Sequence, residues 1–197
     1  MKHSIFMWLI FAMLSTPLFA QKTPESLIER FNELTDTKPY DSKEKWAKMP
    51  STVQVSWGST DVRYPKKNIP ALKPTLTWKT KAWKGERVNA QAVISTQKKI
   101  TNATFECSDL KSGSEIIPSS SIDVSFVRYV MVDELNKDGK GACGHRPNRA
   151  DWDSSMVADI LDKVKLLDIE ANTTQPLWVK VWVPQGTKAG KYKGVLT

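Results

Sequence analysis

Residues 88–95 alternate strictly, with Val88, Ala90, Ala92 and Ile94 on one side and Asn89, Gln91 and Ser95 on the other. A period of two is the mark of a half-buried strand. The same alternation sets Leu76, Trp78 and Ala82 against Thr77, Lys79 and Lys81, predicting a strand over 75–83. It recurs in Ile122, Val124 and Phe126 against Asp123 and Ser125, and in Leu177, Val179, Val181 and Val183 against Trp178, Lys180 and Trp182. Turn residues separate these runs at Lys84-Gly85-Glu86, Lys111-Ser112-Gly113, Pro118-Ser119-Ser120 and Pro184-Gln185-Gly186. Strands joined by short polar turns, without an internal repeat, predict an all-β fold: an immunoglobulin-like β-sandwich rather than βαβ units.

Two stretches change period. Thr23-Pro24-Glu25 reads as a helix start, and Leu27, Ile28, Phe31 and Leu34 follow at helical spacing, predicting a short amphipathic helix over 24–35. Its charged face carries Glu29, Arg30 and Glu33, so its apolar stripe needs a surface to dock on. Residues 36–51, with Pro39 and Pro50, read as a connector. Met156, Val157, Ile160, Leu161 and Val164 also match helical spacing and predict a second helix, interleaved with Asp159, Asp162, Lys163 and Lys165. Residues 133–155 have no apolar period and contain three glycines, which makes a loop longer than compact domains usually keep without a purpose.

The amino terminus has a different logic. Lys2 is the sole charge in residues 1–20; it precedes an uncharged apolar run from Ile5 to Leu14, and Pro17 then leads to Leu18-Phe19-Ala20 before Gln21. That is the layout of a cleaved secretory leader, so the chain is expected to be exported, to the periplasm or beyond. No cysteine follows the run to accept a lipid. Residues 21–51 are then helix and connector, and 52–197 one β-sandwich domain. The chain breaks off at Gly194-Val-Leu-Thr197 in what reads as mid-strand, the pattern expected of a fragment of a longer protein.

Composition narrows the function classes. The chain has 197 residues, 40% hydrophobic and 25% charged, which excludes general disorder, and its 11 prolines and 9 glycines exclude collagen-like sequence. Beyond the leader no apolar stretch reaches the roughly 20 residues of a membrane helix, so no membrane association is expected once the leader is gone. Loss of residues 1–20 removes one lysine and no acid, so the net charge of +8 falls by one. The surplus is scattered as Lys66-Lys67, Lys98-Lys99 and Lys188, Lys191 and Lys193. It reads as a solvated basic surface, with attraction to acidic polysaccharide as the second reading. No nucleic-acid motif accompanies it.

Candidate chemistry gathers in the long loop. Glu134, Asn136 and Asp138 followed by Gly139 imitate the start of a calcium loop, but the twelfth place is His145 rather than a bidentate acid, so the plainer reading is an Asx turn and no metal. His145, Arg146, Trp152 and Asp153 suit a sugar site, an aromatic face beside a charged fork; they suit equally a contact with a neighbouring domain, the preferred reading. Trp46, Trp57, Trp78, Trp83, Trp178 and Trp182 read as core and sheet-face residues, with Trp178 and Trp182 on one face. Cys107 and Cys143 are a disulfide candidate, a pairing that sequence leaves open. Asn102 and Asn172 fit the glycosylation pattern. No Ser/His/Asp set, phosphate loop or zinc spacing appears, and no cofactor is implied.

The run Phe126-Val-Arg-Tyr-Val-Met-Val-Asp-Glu-Leu-Asn-Lys-Asp-Gly-Lys-Gly-Ala-Cys-Gly-His-Arg-Pro, followed by Asp153-Ser-Ser-Met-Val-Ala-Asp, resembles the N-terminal β-sandwich domain of glycoside hydrolase family 123 and related exported enzymes of the Bacteroidetes type. Thr174-Gln-Pro-Leu-Trp-Val-Lys-Val-Trp-Val-Pro and Ala189-Gly-Lys-Tyr-Lys-Gly extend the likeness, which covers roughly residues 75–197. The resemblance implies an exported glycosidase acting on N-acetylgalactosamine linkages, with its catalytic residues in a (β/α)8 barrel after the sandwich. The partners it implies are that barrel and the glycan. Asp133-Glu134 is an adjacent acid pair of the kind substrate-assisted glycosidases use. In the resembled family that pair belongs to the barrel, so here the two acids read as a strand end and the chain as a non-catalytic domain of such an enzyme, with a free-standing carbohydrate-binding or cell-surface adhesion module as the alternative.

Overall fold

The computed structural model describes residues 33–34, 40–133 and 154–197. These form one short α-helix, α1 (Lys43–Trp46), one 3-10 helix (Ser119–Ser121) and nine strands: β1 (Gln54–Gly58), β2 (Arg87–Thr96), β3 (Ile100–Ala103), β4 (Leu110–Ser112), β5 (Glu115–Ile117), β6 (Ile122–Val132), β7 (Ser155–Asp162), β8 (Leu167–Ile169) and β9 (Thr173–Trp182). The architecture is all-β and sandwich-like. One layer is a five-stranded antiparallel sheet in the order β1-β2-β9-β6-β7. The facing layer is assembled from the β3–β8 pair, the β4–β5 hairpin and the chain after Lys193. There Lys193 and Lys111 exchange backbone hydrogen bonds of 3.0 and 2.8 Å, and Thr197 and Glu106 exchange bonds of 2.9 and 2.7 Å.

The alternation of β2, β6 and β9 explains why these layers close. Ala90, Ala92, Val124, Phe126, Leu177, Val179 and Val181 project from the large sheet into one cluster with Leu167 of β8. Phe105, Cys107, Leu110, Val164 and Leu196 pack on it from the facing layer. The Phe105 and Phe126 rings meet at 5.5 Å between centroids. Each of its buried Val, Leu and Phe side chains contributes about 1.5–3 kcal/mol relative to exposure, which makes this cluster the main stabilising mass of the domain.

Three expectations are corrected. The segment 75–83 forms no strand: Leu76 is 80% exposed, and the backbone touches β1 only where the Trp57 N–H donates to the Thr75 carbonyl (2.9 Å) and through the Ser56 hydroxyl. Alternation without a partner edge does not make a ladder. Residues 156–164 are not helical but supply β7, and the reason is a bulge. Arg128 pairs with Ile160 and Tyr129 with Ala158, so Asp159 is extra and Leu161 moves to the face of Met156 and Ala158. A bulged period of two thereby imitates a helical one. The connector 36–51 contains α1, whose Ser42 hydroxyl caps the Lys45 N–H at 3.3 Å and whose Trp46 is fully buried. Of the helix expected over 24–35 only Glu33 and Leu34 are described, and neither is helical; the leader 1–20 lies outside the described residues.

The turn at Lys84-Gly85-Glu86 is where it was expected. Gly85 has φ +79°, and a Cβ there would collide with the Gln185 side chain. Gly85→Ala is expected to cost about 1–2 kcal/mol from the left-handed backbone alone. Gly186→Ala, with open space around it, should leave the urea midpoint unchanged.

Candidate functional site

Pro176 opens the middle of the large sheet. The β6–β9 ladder runs from Ile122–Val181 to Phe126–Leu177 and stops, because the next β9 residue has no N–H to give β6. Side chains take over the pairing. Gln175 Nε2 donates to the Val127 carbonyl at 2.8 Å, and the Tyr129 hydroxyl sits 2.8 Å from the Thr174 carbonyl and 2.9 Å from that of Tyr64. The segment after Tyr64 lies over the opening: the Thr174 N–H donates to the Lys66 carbonyl (2.8 Å) and its hydroxyl to the Asn68 carbonyl (2.8 Å).

A charged cluster fills the same opening. Glu33 accepts from the Tyr129 N–H (3.1 Å), from Arg128 Nε (3.1 Å) and from Lys66 Nζ. Arg128, only 3% exposed, also reaches Asp162 with Nη1 at 3.3 Å. The Lys66 ammonium stands 5.7 Å from the centroid of the Tyr129 ring. Burial pushes the Glu33 carboxyl up, but its bonds to Lys66, the Tyr129 amide and Arg128 outweigh that and hold it below the usual carboxylate range. Burial, with the Glu33 charge nearby, pushes the Tyr129 phenol well above its ordinary value. A carboxylate so firmly ionised is a poor proton donor near neutrality, so the cluster suits anchoring rather than acid–base work. It ties the chain ahead of α1 to the sheet. Beside it opens a cavity of about 410 Å³ whose walls include Glu33, Tyr40, Lys66, Lys67, Glu170 and Asn172.

Of the residues singled out from sequence, Asp133 is half-buried directly after β6. Glu134, Asn136, Asp138, His145, Arg146, Trp152 and Asp153 lie outside the described residues, as does Cys143. Val132 pairs with Ser155, so the residues between them connect two adjacent antiparallel strands at one end of the sheet. Cys107 is half-buried against the main core, where burial pushes its thiol up. Among the described residues no group of three His, Cys, Asp or Glu side chains is placed to hold a metal. Asn102 and Asn172 take left-handed φ values of 53° and 56°, the conformation in which asparagine is tolerated. The tryptophans divide. Trp46 is buried, Trp57 and Trp78 pack together with centroids 5.8 Å apart, Trp178 and Trp182 lie on the outer sheet face, and Trp83, expected in a sheet or core, is 83% exposed in a turn. Sequence reading missed Arg128, although a lone charge inside the apolar run Phe126–Val132 was a usable signal.

Comparison with known proteins adds the family. No curated protein matches the chain. Among solved structures, a family 123 glycoside hydrolase from Clostridium perfringens, studied for glycolipid glycan hydrolysis, superposes with a TM-score of 0.60 at 24% identity over 74% of this chain. That likeness supports the fold, and the chain spans about a quarter (24%) of the relative's length. The model of the glycoside hydrolase 123 N-terminal domain matches residues 57–197. Matched over well more than half of its length, the chain belongs to the glycoside hydrolase 123 N-terminal domain family.

Proposed function

We propose that this chain is the non-catalytic sandwich domain of an exported glycosidase of the N-acetylgalactosaminidase type, supporting a (β/α)8 barrel that carries the chemistry. The family match over residues 57–197 is the observation that carries this reading. Two features support it. The most elaborate polar cluster described is built for anchoring, with its carboxylates committed to Arg128 and Lys66. The loop 133–155 leaves the sheet from the Val132–Ser155 pair, and a long loop so placed is suited to reach a neighbouring domain and shape its substrate entrance. In this reading His145, Arg146, Trp152 and Asp153 contact the barrel, and the leader ending at Ala20 directs export.

The test uses an aryl N-acetylgalactosaminide. The full-length parent should turn it over, whereas the 197-residue chain should give no release above buffer. Glu134→Gln in the parent should leave kcat within about twofold, since loss of a true general acid costs about 10²–10⁴. Turnover by the chain alone, abolished in Glu134→Gln, would place catalysis in the sandwich and overturn the reading.

A further inference from the structure

Among the described residues, the outer face of the five-stranded sheet is covered at one end. There Gln91, Val93 and Ser95 of β2 are buried, and Gln91 Nε2 donates to the carbonyls of Ser59 (2.6 Å) and Val62 (3.0 Å) in the overlying segment. Towards the other end the same face is open. Arg87 and Asn89 of β2 are exposed, Trp182 of β9 is 41% exposed and Trp178 is half-buried. The turn bearing the exposed Trp83 closes this end, tied to the chain after β9 by the Gly85 N–H to Val183 carbonyl bond (2.7 Å) and the Val183 N–H to Glu86 carbonyl bond (2.9 Å).

The indoles on this face are held in place. Trp178 Nε1 donates to Asn89 Oδ1 at 3.2 Å, and the Arg87 guanidinium lies 6.0 Å from the centroid of the Trp182 ring. The hydrogen-bonded Trp178 ring loses little rotamer freedom when a ligand arrives. Trp178 and Trp182 are four residues apart on one strand face, about 13 Å, a length that accommodates several sugar units. Between them Lys180 pairs with Asp123 at 2.9 Å. Among the described residues neither Arg87 nor Lys84 has a carboxylate within salt-bridge distance, while Glu86 is taken by the Trp83 N–H (2.6 Å). This end of the sheet therefore carries aromatic surface together with two cations, Arg87 and Lys84, against one acid in the turn, Glu86, so its balance is net positive.

We propose that this open half-face, centred on Trp182 and Arg87, binds an anionic glycan. The indole faces take the C–H surfaces of the sugar rings, and Arg87 and Lys84 take carboxylate or sulfate groups. A docked protein domain is the competing occupant. It would bury the Lys180–Asp123 ion pair, and lysine and aspartate are depleted at protein interfaces and costly to desolvate there. A glycan leaves those groups wet. The proposal does not depend on which linkage the parent enzyme cleaves.

Calorimetric titration of the 197-residue chain at low salt tests this with chondroitin sulfate, polygalacturonate and neutral dextran. Saturable binding to at least one of the two acidic polymers, weakening as salt is raised, and none to dextran is expected. Trp182→Ala and Trp83→Ala should each weaken binding at least tenfold and Arg87→Gln at least threefold. Lys193→Gln, on the facing layer, should not change it. Trp83 is 83% exposed, so its replacement keeps the test meaningful even if Trp182→Ala disturbs the sheet. No saturable binding to either acidic polymer, or tryptophan variants that bind like wild type, overturns the proposal. So does a Trp182→Ala variant of the full-length parent that loosens the catalytic domain while glycan affinity stays unchanged, because the face is then a domain contact.

Discussion

Arg128→Ala is expected to lower the unfolding free energy by about 3–5 kcal/mol, the cost of removing one member of a buried ionic set. Arg128 stands between Glu33 and Asp162, and its loss takes one cation from each, from a Glu33 side chain that is 9% exposed and an Asp162 side chain that is 21% exposed. Urea denaturation measures the effect. If the penalty comes from stranded charge, adding Glu33→Gln to Arg128→Ala should restore part of the lost stability, giving a coupling of about 0.5–3 kcal/mol in a double-mutant cycle. Additive losses would show that Arg128 acts through packing instead. The pH dependence has a defined sign. The folded Glu33 carboxyl lies below its unfolded value of 4.5, so its contribution is fully present above that value and is lost as pH falls through the lower, folded one. Glu33→Gln should therefore flatten the acid limb of the stability profile.

Phe126→Ala should cost about 3–5 kcal/mol by a different mechanism, the loss of an aromatic ring together with the cavity it leaves. Phe126 is 1% exposed, pairs with Leu177 across the last rung of the β6–β9 ladder, and meets the Phe105 ring from the facing layer. The change removes apolar contact between layers without touching a charge, so its effect should be insensitive to pH between 4 and 8. Ile116→Ala, in the exposed β4–β5 hairpin where Ile116 is 53% exposed, should stay within about 0.5 kcal/mol. Equal losses from the two substitutions would mean that the sandwich core is not where stability resides.

These two sites also show the limits of reading from sequence. Strands β2, β6 and β9 announced themselves because one face of each is apolar at every second residue, and that pattern is local to the chain. The turn at Gly85 was equally legible, since a left-handed residue leaves its mark in residue type. The ends of β6 and β7, Val132 and Ser155, fall within one residue of the bounds read for the segment 133–155. The all-β class and the family resemblance needed nothing further.

Other features depended on partners distant in the chain. The 75–83 run has a strand's alternation but no ladder, because a strand exists only where a neighbour offers its backbone, and that depends on the whole sheet. β7 was disguised by its bulge, whose register is set by Arg128 and Tyr129 on the opposite strand. Arg128 and Asp162 meet across the paired strands β6 and β7, whereas Glu33, 129 positions from Asp162, and Lys66 reach them only through the tertiary fold, where the β6–β9 ladder ends at Pro176 and the segment after Tyr64 lies over the gap. Trp83 and Trp182 are likewise brought to one end by the pairing of the Gly85 turn with Val183. Composition and periodicity thus determined the class, the strands and the turns, because those follow from local backbone preference and the burial of one face. Tertiary structure alone decided which charges share a site and which tryptophans meet solvent, because burial and Coulombic pairing depend on distance in space rather than along the chain.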